Sequence, residues 1–286
     1  MPRPENAYCR VLEPSKGLFT FNWRELWDYR DLVYFLYRRY LHTAFHQTRL
    51  GPLWFLLHPL MASAIFVIVF NKTLGVSTHG VPAVLFYLCG LLFWRYFAYT
   101  FLRISASLTS NASLLGKVYF PRITIPLALM FANLVTLGAQ IILFGCVYAG
   151  FVFFTTSRAF GINLPLLFLL PAALGLLMAT TLGLGLWVAA LTVKHRDLQH
   201  VLDFLVNLLM YATPVIYPVS SIPAAWRHWA GLNPLSTLVE FSRILFLGSG
   251  NVSWWDVSLS TLVSLSVLAT GVFVFSRAEK TFVDTL

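Results

Sequence analysis

The chain has 286 residues, of which 58% are hydrophobic and only 11% charged, with a mean hydropathy of +0.74 and a formal charge of +9. A soluble domain of ordinary composition carries about 25% charged residues, so the deficit points to lipid as the solvent. The positive residues flank apolar runs instead of forming one stripe. That distribution argues against a nucleic-acid surface and for positive-inside topology.

Acidic residues are unevenly placed, with none between Asp31 and Asp197. Cys9, Cys89 and Cys146 share no metal or redox spacing and read as small buried hydrophobes. His42, His46, His58, His79, His195, His200 and His228 are scattered and read as interfacial or loop residues, so no metal site is expected. The polar first 50 residues contain no early apolar run of the kind a cleavable signal peptide needs.

Residues 1–20 hold Pro2, Pro4, Pro14 and Gly17 and read as a loose tail. From Phe21 to Thr48 the pattern is helical and amphipathic, with Trp23, Leu26, Trp27, Tyr34, Tyr37 and Leu41 near one face. Arg24, Asp28, Arg38 and Arg39 lie on the others. Trp and Tyr flanked by Arg suit a helix in the headgroup layer, and such a helix also suits packing on a partner. Gly51-Pro52 opens the first span, 53–70. Proline is tolerated in a first turn, where its missing N–H would be unpaired anyway.

The second span is read over 81–102. Arg95 lies inside it, either facing a pore or snorkelling to an interface. The segment 103–122 is polar and basic, and Asn111–Lys117 suits one short helix parallel to the membrane. Gly116-Lys117 is no P-loop, because Val118 replaces the Ser/Thr and the preceding glycine is missing. The third span, 125–154, is long enough to tilt or bend. The fourth covers 164–193, where Gly175, Gly183 and Gly185 among several alanines allow close helix approach.

The basic turn Lys194-His195-Arg196-Asp197 belongs on the cytoplasmic side. His195-Arg196-Asp197 matches a kinase catalytic loop by chance, since Leu202 stands where its asparagine should be. The fifth span, 198–216, carries Asp203 and Asn207 at helical spacing and ends at the Thr213-Pro214 and Tyr217-Pro218 breaks. Polar groups inside a span face protein or a water-filled path. The segment 217–256 reads as short re-entrant or surface helices on the outer side. The last span is 257–275, followed by Arg277 and Lys280. The Lys/Arg distribution places both termini in the cytoplasm. The fold expected is therefore all-α: an integral membrane bundle of six transmembrane helices, an N-terminal amphipathic interfacial helix, and re-entrant outer helices between spans five and six. Its domains are a cytoplasmic tail and interface helix, 1–50, and a transmembrane domain, 51–286.

No Walker sequence is present, so the chain alone has no means of hydrolysing ATP. Proton-driven carriers commonly embed carboxylates, and spans one to four have none. Both points favour a separate ATPase as the energy source and disfavour an integral-membrane enzyme or proton-coupled carrier. Six helices also make a thin wall, which favours a path enclosed by two protomers.

The order of motifs resembles the membrane subunit of an ABC transporter of the type-2 exporter class. It is most similar to permeases that export O-antigen, capsule or teichoic-acid polysaccharides. The carriers are Gln47-Thr48-Arg49-Leu50-Gly51-Pro52-Leu53-Trp54, Lys117-Val118-Tyr119-Phe120-Pro121-Arg122, His195-Arg196-Asp197, Thr213-Pro214-Val215-Ile216-Tyr217-Pro218 and Leu232-Asn233-Pro234-Leu235. His46 departs from the Lys or Arg common before Gln-Thr, and His58 from the Gln common before the proline.

The resemblance implies a homodimer with two copies of a cytoplasmic ATPase subunit, in the bacterial cytoplasmic (inner) membrane, exporting lipid-linked polysaccharide. ATP and Mg belong to the partner subunit, and no cofactor is expected in this chain. A drug, lipid or teichoic-acid substrate is the alternative. It also implies ATPase coupling through Asn111, Ser113, Leu115, Lys117, Tyr119 and Arg122, and an interface helix carrying Trp23, Trp27, Arg38 and Arg39. A channel along the first and fifth spans would be lined by Trp54, Phe204, Asn207, Tyr211 and Tyr217. An outer gate would use Trp226, Asn233, Glu240 and Arg243.

Overall fold

The computed structural model describes residues 23–46, 52–118, 120–154, 161–193, 195 and 197–282. They form helices and no strand. The amphipathic segment is two helices, α1 (Trp23–Asp28) and α2 (Arg30–His46), interrupted at Tyr29. The expected continuous helix is therefore broken, and the face it turns to the bundle is not the Trp/Tyr face. Leu36 and Tyr40 are buried, with Val33 and Tyr37 beside them, while Trp27 and Tyr34 stand exposed. The buried positions recur every three to four residues, so the helical period is kept and the stripe is rotated. α2 packs on the third span.

The first span is α3 (Pro52–Phe66), extended by a π-helical stretch, Val67–Thr73. Pro59 lies inside α3 and lacks the N–H that would bond the Phe55 carbonyl. Gln140, across in the third span, donates its Nε2–H to that carbonyl at 3.5 Å. The π stretch widens the last turn, with Leu74 N–H donating to Val69 O at 3.1 Å.

The second span, α4 (Ala83–Ser105), is the hub, touching the first, third, fourth and fifth spans and the outer helix α12 (Pro234–Leu247). Next come α5 (Ser107–Ser110), not foreseen, and α6 (Ala112–Leu115), which falls within the one short helix expected over 111–117, and then the third span, α7 (Thr124–Phe154). At 31 residues, α7 is about 46 Å long against about 30 Å of hydrocarbon, so it tilts or projects. The fourth span is interrupted: α8 (Leu164–Leu167) precedes α9 (Leu170–Thr192).

α9 pairs with the last span, α13 (Trp254–Phe282), more extensively than any other two helices meet. Gly183 makes this possible, because a Cβ there would sit 2.7 Å from the Leu268 backbone. A buried hydrogen bond, Thr180 Oγ1–H to Ser264 Oγ at 2.8 Å, adds a polar tie. α13 begins and ends further out than the 257–275 expected.

The fifth span, α10 (Leu198–Ala212), has 15 residues and stops at Thr213 rather than at 216. Pro214 lacks an N–H, and Thr213 takes an extended conformation with ψ 137°. Among the described residues, five helices are thus long and apolar enough to cross a membrane, and α10 is shorter than they are.

Between α10 and α13 lie α11 (Ala224–Leu232) and α12. Asn233 caps α12, its Oδ1 accepting from Leu235 N–H at 3.1 Å, with Pro234 in the first turn. Gly248, at φ +64°, ends the helix in the left-handed conformation. α12 is buried among the spans, so of the two readings of 217–256 it fits the re-entrant one and not the surface one.

Candidate functional site

At the end of the bundle reached by α2, the strip 107–122 is tied to three other elements by polar contacts, and a fourth, α9, is tied to the end of α4 just before it. Tyr40 of α2 donates its hydroxyl to Asn111 Oδ1 at 3.2 Å, and Asn111 Nδ2–H returns to Ser107 O at 2.9 Å. Burial raises the Tyr40 pKa, while the Arg39 and Arg103 charges and the Asn111 bond pull against it. Its hydroxyl therefore stays a donor at neutral pH. The Arg103 guanidinium stacks over both Tyr40 and Tyr99, at 5.4 and 5.5 Å.

Gln199 of α10 donates Nε2–H to Thr109 Oγ1 at 2.6 Å. Thr192 at the end of α9 donates to Ser105 O at 2.8 Å. Arg122 is buried, its backbone N–H donating to Glu279 Oε1 at 3.2 Å and its Nη1–H to Glu279 O at 2.9 Å, at the end of α13. Arg122 thus anchors the strip inward, whereas Ser113 and Lys117 face outward and Asn111 and Leu115 are half-buried. Tyr119 and the Trp23 side chain lie outside the described residues, as do Gln47–Gly51, Lys194 and Arg196. On α1 and α2, Trp27, Arg38 and Arg39 are exposed.

The proposed channel residues lie on two faces that the chain leaves bare. Trp54 stands on α3 beside exposed Leu57, Met61 and Ile65. Phe204, Asn207 and Tyr211 share the bare face of α10, whose opposite side buries Leu202 and Val206. Tyr217 is half-buried and donates its hydroxyl to Tyr211 O at 2.9 Å.

Glu240 and Arg243 form a buried ion pair one turn apart on α12, with Nη1 2.8 Å from Oε2. Arg243 also donates to Val215 O at 2.7 Å and Tyr217 O at 3.3 Å, carbonyls left open where α10 breaks. Its guanidinium lies 3.8 Å from the centroid of the Phe86 ring. Gly90 makes room for this, since a Cβ there would stand 2.9 Å from Val215 O and 3.2 Å from Arg243 Nη2. Glu240 Oε1 accepts from Asn251 N–H at 3.4 Å, and Asn233 Nδ2–H donates to Thr213 Oγ1 at 3.0 Å. Trp226 is exposed on α11, away from this knot. A cavity of about 630 Å³ opens beside it, lined by Ser220, Ser236, Glu240, Asn251, Trp255 and Asp256 among others.

Sequence reasoning singled out Asn111, Glu240 and Arg243, and it missed Tyr40, Gln199, Glu279, Phe86 and Gly90. The glycine inside an aromatic run was the one signal for Gly90. Gln199 and Glu279 carry none, because their roles depend on which helix end meets which.

No cluster of three His, Cys, Asp or Glu with a metal-binding arrangement occurs among the described residues. The chain is a helical integral membrane protein. A polar knot joins its strands of chain at one end, and a buried ion pair seals a broken helix toward the other. The family model for ABC-2 type transporters matches residues 31–247. The chain belongs to the ABC-2 type transporter family.

Among its relatives, the O-antigen export system permease protein RfbA of Myxococcus xanthus is 26% identical over 265 residues, covering 92% of this chain and 98% of the relative. The RfbA permease of Klebsiella pneumoniae is 25% identical over 259 residues, covering 90% and 95%. The polysialic acid transport protein KpsM of Escherichia coli is 25% identical over 236 residues, covering 81% and 88%.

Proposed function

We propose that this chain is the permease subunit of an ATP-driven exporter that moves lipid-linked polysaccharide, of the O-antigen kind, across the bacterial cytoplasmic membrane. The observation that carries the reading is likeness along nearly the full length to permeases named for O-antigen export. The likeness to a polysialic acid transporter broadens the cargo class to surface polysaccharides, which keeps capsule within it.

Two copies enclose the path, with the bare faces of α3 and α10 turned toward it. Trp54, Phe204, Asn207, Tyr211 and Tyr217 then offer aromatic faces and amide groups to sugar rings. Two copies of a cytoplasmic ATPase subunit, which hold the ATP and Mg, dock on the outward side of the 107–122 strip through Ser113, Leu115 and Lys117. The α1–α2 pair frames that docking surface with Trp27, Arg38 and Arg39. Both termini lie in the cytoplasm, and nucleic acid is not a partner.

Movement of the strip pulls on α2 through the Tyr40–Asn111 bond, on α10 through Gln199–Thr109, and on α13 through Arg122–Glu279. At the far end of α10, the Arg243 contacts to Val215 and Tyr217 make α12 follow any shift of the broken segment. α12 thereby acts as the outer gate, with Asn233 and the Glu240–Arg243 pair as its fastenings.

The test is purification with the ATPase and reconstitution into vesicles. The expected result is ATP-dependent movement of lipid-linked polysaccharide and none by the permease alone. Uphill transport by the lone chain would overturn the reading. ATP-dependent movement of drugs or simple lipids, without polysaccharide, would replace the cargo class.

A further inference from the structure

Among the described residues, two charged side chains sit well inside the apolar helices away from the α12 pair. Arg95 is ten residues from the end of α4 and twelve from its start, and Asp203 lies on the sixth position of α10. Their positions expose an imbalance. The Arg95 Nη1 lies 2.5 Å from His58 Nδ1. A guanidinium has only donors, so Nδ1 is the acceptor and the ring keeps its proton on Nε2. The pair therefore holds one full positive charge, and the buried Arg95 Nε has no partner at all. No carboxylate among the described residues answers it. Asp203 meanwhile stands exposed on the bare face of α10, and none of the ion pairs among the described residues includes it.

An isolated charge within a bilayer is costly, and such residues pair with one another or face a watery cavity. His58 belongs to the bare face of α3 that also carries Trp54, Met61 and Ile65. One protomer thus presents a cation on one uncovered face and an anion on another. A symmetric pair of membrane proteins with the same orientation has its two-fold axis along the membrane normal. That operation preserves depth, so only residues already at the same level can meet across it. α3 and α10 both start at the end of the bundle that holds the 107–122 strip. His58 is six residues into α3 and Asp203 five residues into α10, or about 9 and 7.5 Å of helix rise. Arg95 itself is rooted about 15 Å from the strip end of α4, so it is His58, to which the guanidinium reaches, that shares one layer with Asp203.

We infer that α3 of each copy seats against α10 of the other, and that the carboxylate of Asp203 of the partner subunit closes on the Arg95–His58 pair. Two such ion pairs form, related by the two-fold axis. The inference rests on the homodimer proposed above. Below the aromatic and amide positions 207 and 211, this contact draws the two copies together at the level where cargo would enter.

The experiment uses the full complex in membranes, in a background with Cys9, Cys89 and Cys146 replaced by alanine. Two differently tagged chains, one H58C and the other D203C, are co-expressed and oxidised. The expected result is a disulfide-linked heterodimer on a non-reducing gel. In the wild-type background, R95D and D203R should each lower the dimer fraction in native mass measurement by at least about tenfold, as loss of one partner of a buried pair does. The swap R95D/D203R should recover most of it.

A dimeric wild type with neither crosslink nor recovery by the swap would overturn the pairing and leave the dimer standing. A monomeric wild type that still transports would overturn both. A variant at Arg95 that keeps the dimer but loses bound phosphate-bearing lipid would assign Arg95 to an anionic ligand instead, and would likewise overturn the pairing. If the charge variants do not accumulate, the cysteine pair alone decides.

Discussion

α3 and α4 are neighbours in sequence and in space, and their burial is opposite. Of the most apolar 18-residue window of each, 78% is buried in α4 and 11% in the first span. Yet the first span is the more apolar of the two, and α4 carries Tyr87, Cys89, Trp94, Arg95 and Tyr96. In water this order would be inverted. In lipid, apolar surface gains little by leaving the solvent, so the residues that gather inside are those whose polar atoms need partners and those small enough to let backbones meet. The contrast also separates a buried centre, built of α4 and α12 with α7 and α9, from α3 and α10, whose outer faces this chain leaves bare; α13 is held along α9 yet is itself mostly exposed.

The largest effect should come from the centre. Arg243→Ala leaves Glu240 buried without its partner and strips Val215 O and Tyr217 O of a donor. A loss of about 3–5 kcal/mol is expected, read as a steep fall in thermal stability in detergent. The double change E240Q/R243M should recover part of that loss. Equal stability of wild type and Arg243→Ala would mean that α12 is not held by this knot.

Gly183→Val comes next. Its side chain would meet the Leu268 backbone, which cannot swing aside as a side chain would. About 1–3 kcal/mol of destabilisation is expected, with the α9–α13 pair opening first in hydrogen exchange.

Asn111→Ala removes one hydrogen bond between α2 and the strip, worth about 1 kcal/mol. Stability should hardly move, while export per ATP hydrolysed should fall; Tyr40→Phe should reproduce it. Unchanged export per ATP in both would detach α2 from coupling.

The smallest change in stability should come from the bare faces. Tyr211→Ala should alter folding by less than about 0.5 kcal/mol and still lower polysaccharide export with assembly intact. Normal export would remove α10 from the path.

The contrast between the two helices also marks what the sequence makes legible. The apolar runs, the basic turns and the break at Thr213-Pro214 follow from composition and backbone chemistry, so the spans fall near their expected places. The face of α2 that meets the bundle is not legible, because amphipathic periodicity defines a stripe but not which neighbour covers it; α2 packs on α7 with Leu36 and Tyr40 buried and Trp27 and Tyr34 outside. Sequence leaves α12 open between a re-entrant and a surface helix, because Glu240 and Arg243 look soluble until each is seen to be the other's counterion. The strip at 107–122 shows its basic, polar character in sequence, yet Gln199 and Glu279 reach it from more than 75 residues away. The sequence leaves Arg95 between two roles, and its hydrogen bond to His58, 37 residues distant, requires the fold.

The shortness of α10 has a consequence for the barrier itself. Fifteen residues reach about 22 Å, against about 30 Å of hydrocarbon. Above Ala212 the wall is taken over by Pro214–Pro218 and α12, beside a cavity edged by serine, asparagine and carboxylate groups. Water entering that hollow lowers the roof of the oily layer by roughly a quarter, the difference between those two lengths. The electrostatic cost of bringing a polar group to that depth falls with it, because less hydrocarbon remains to be crossed below the hollow.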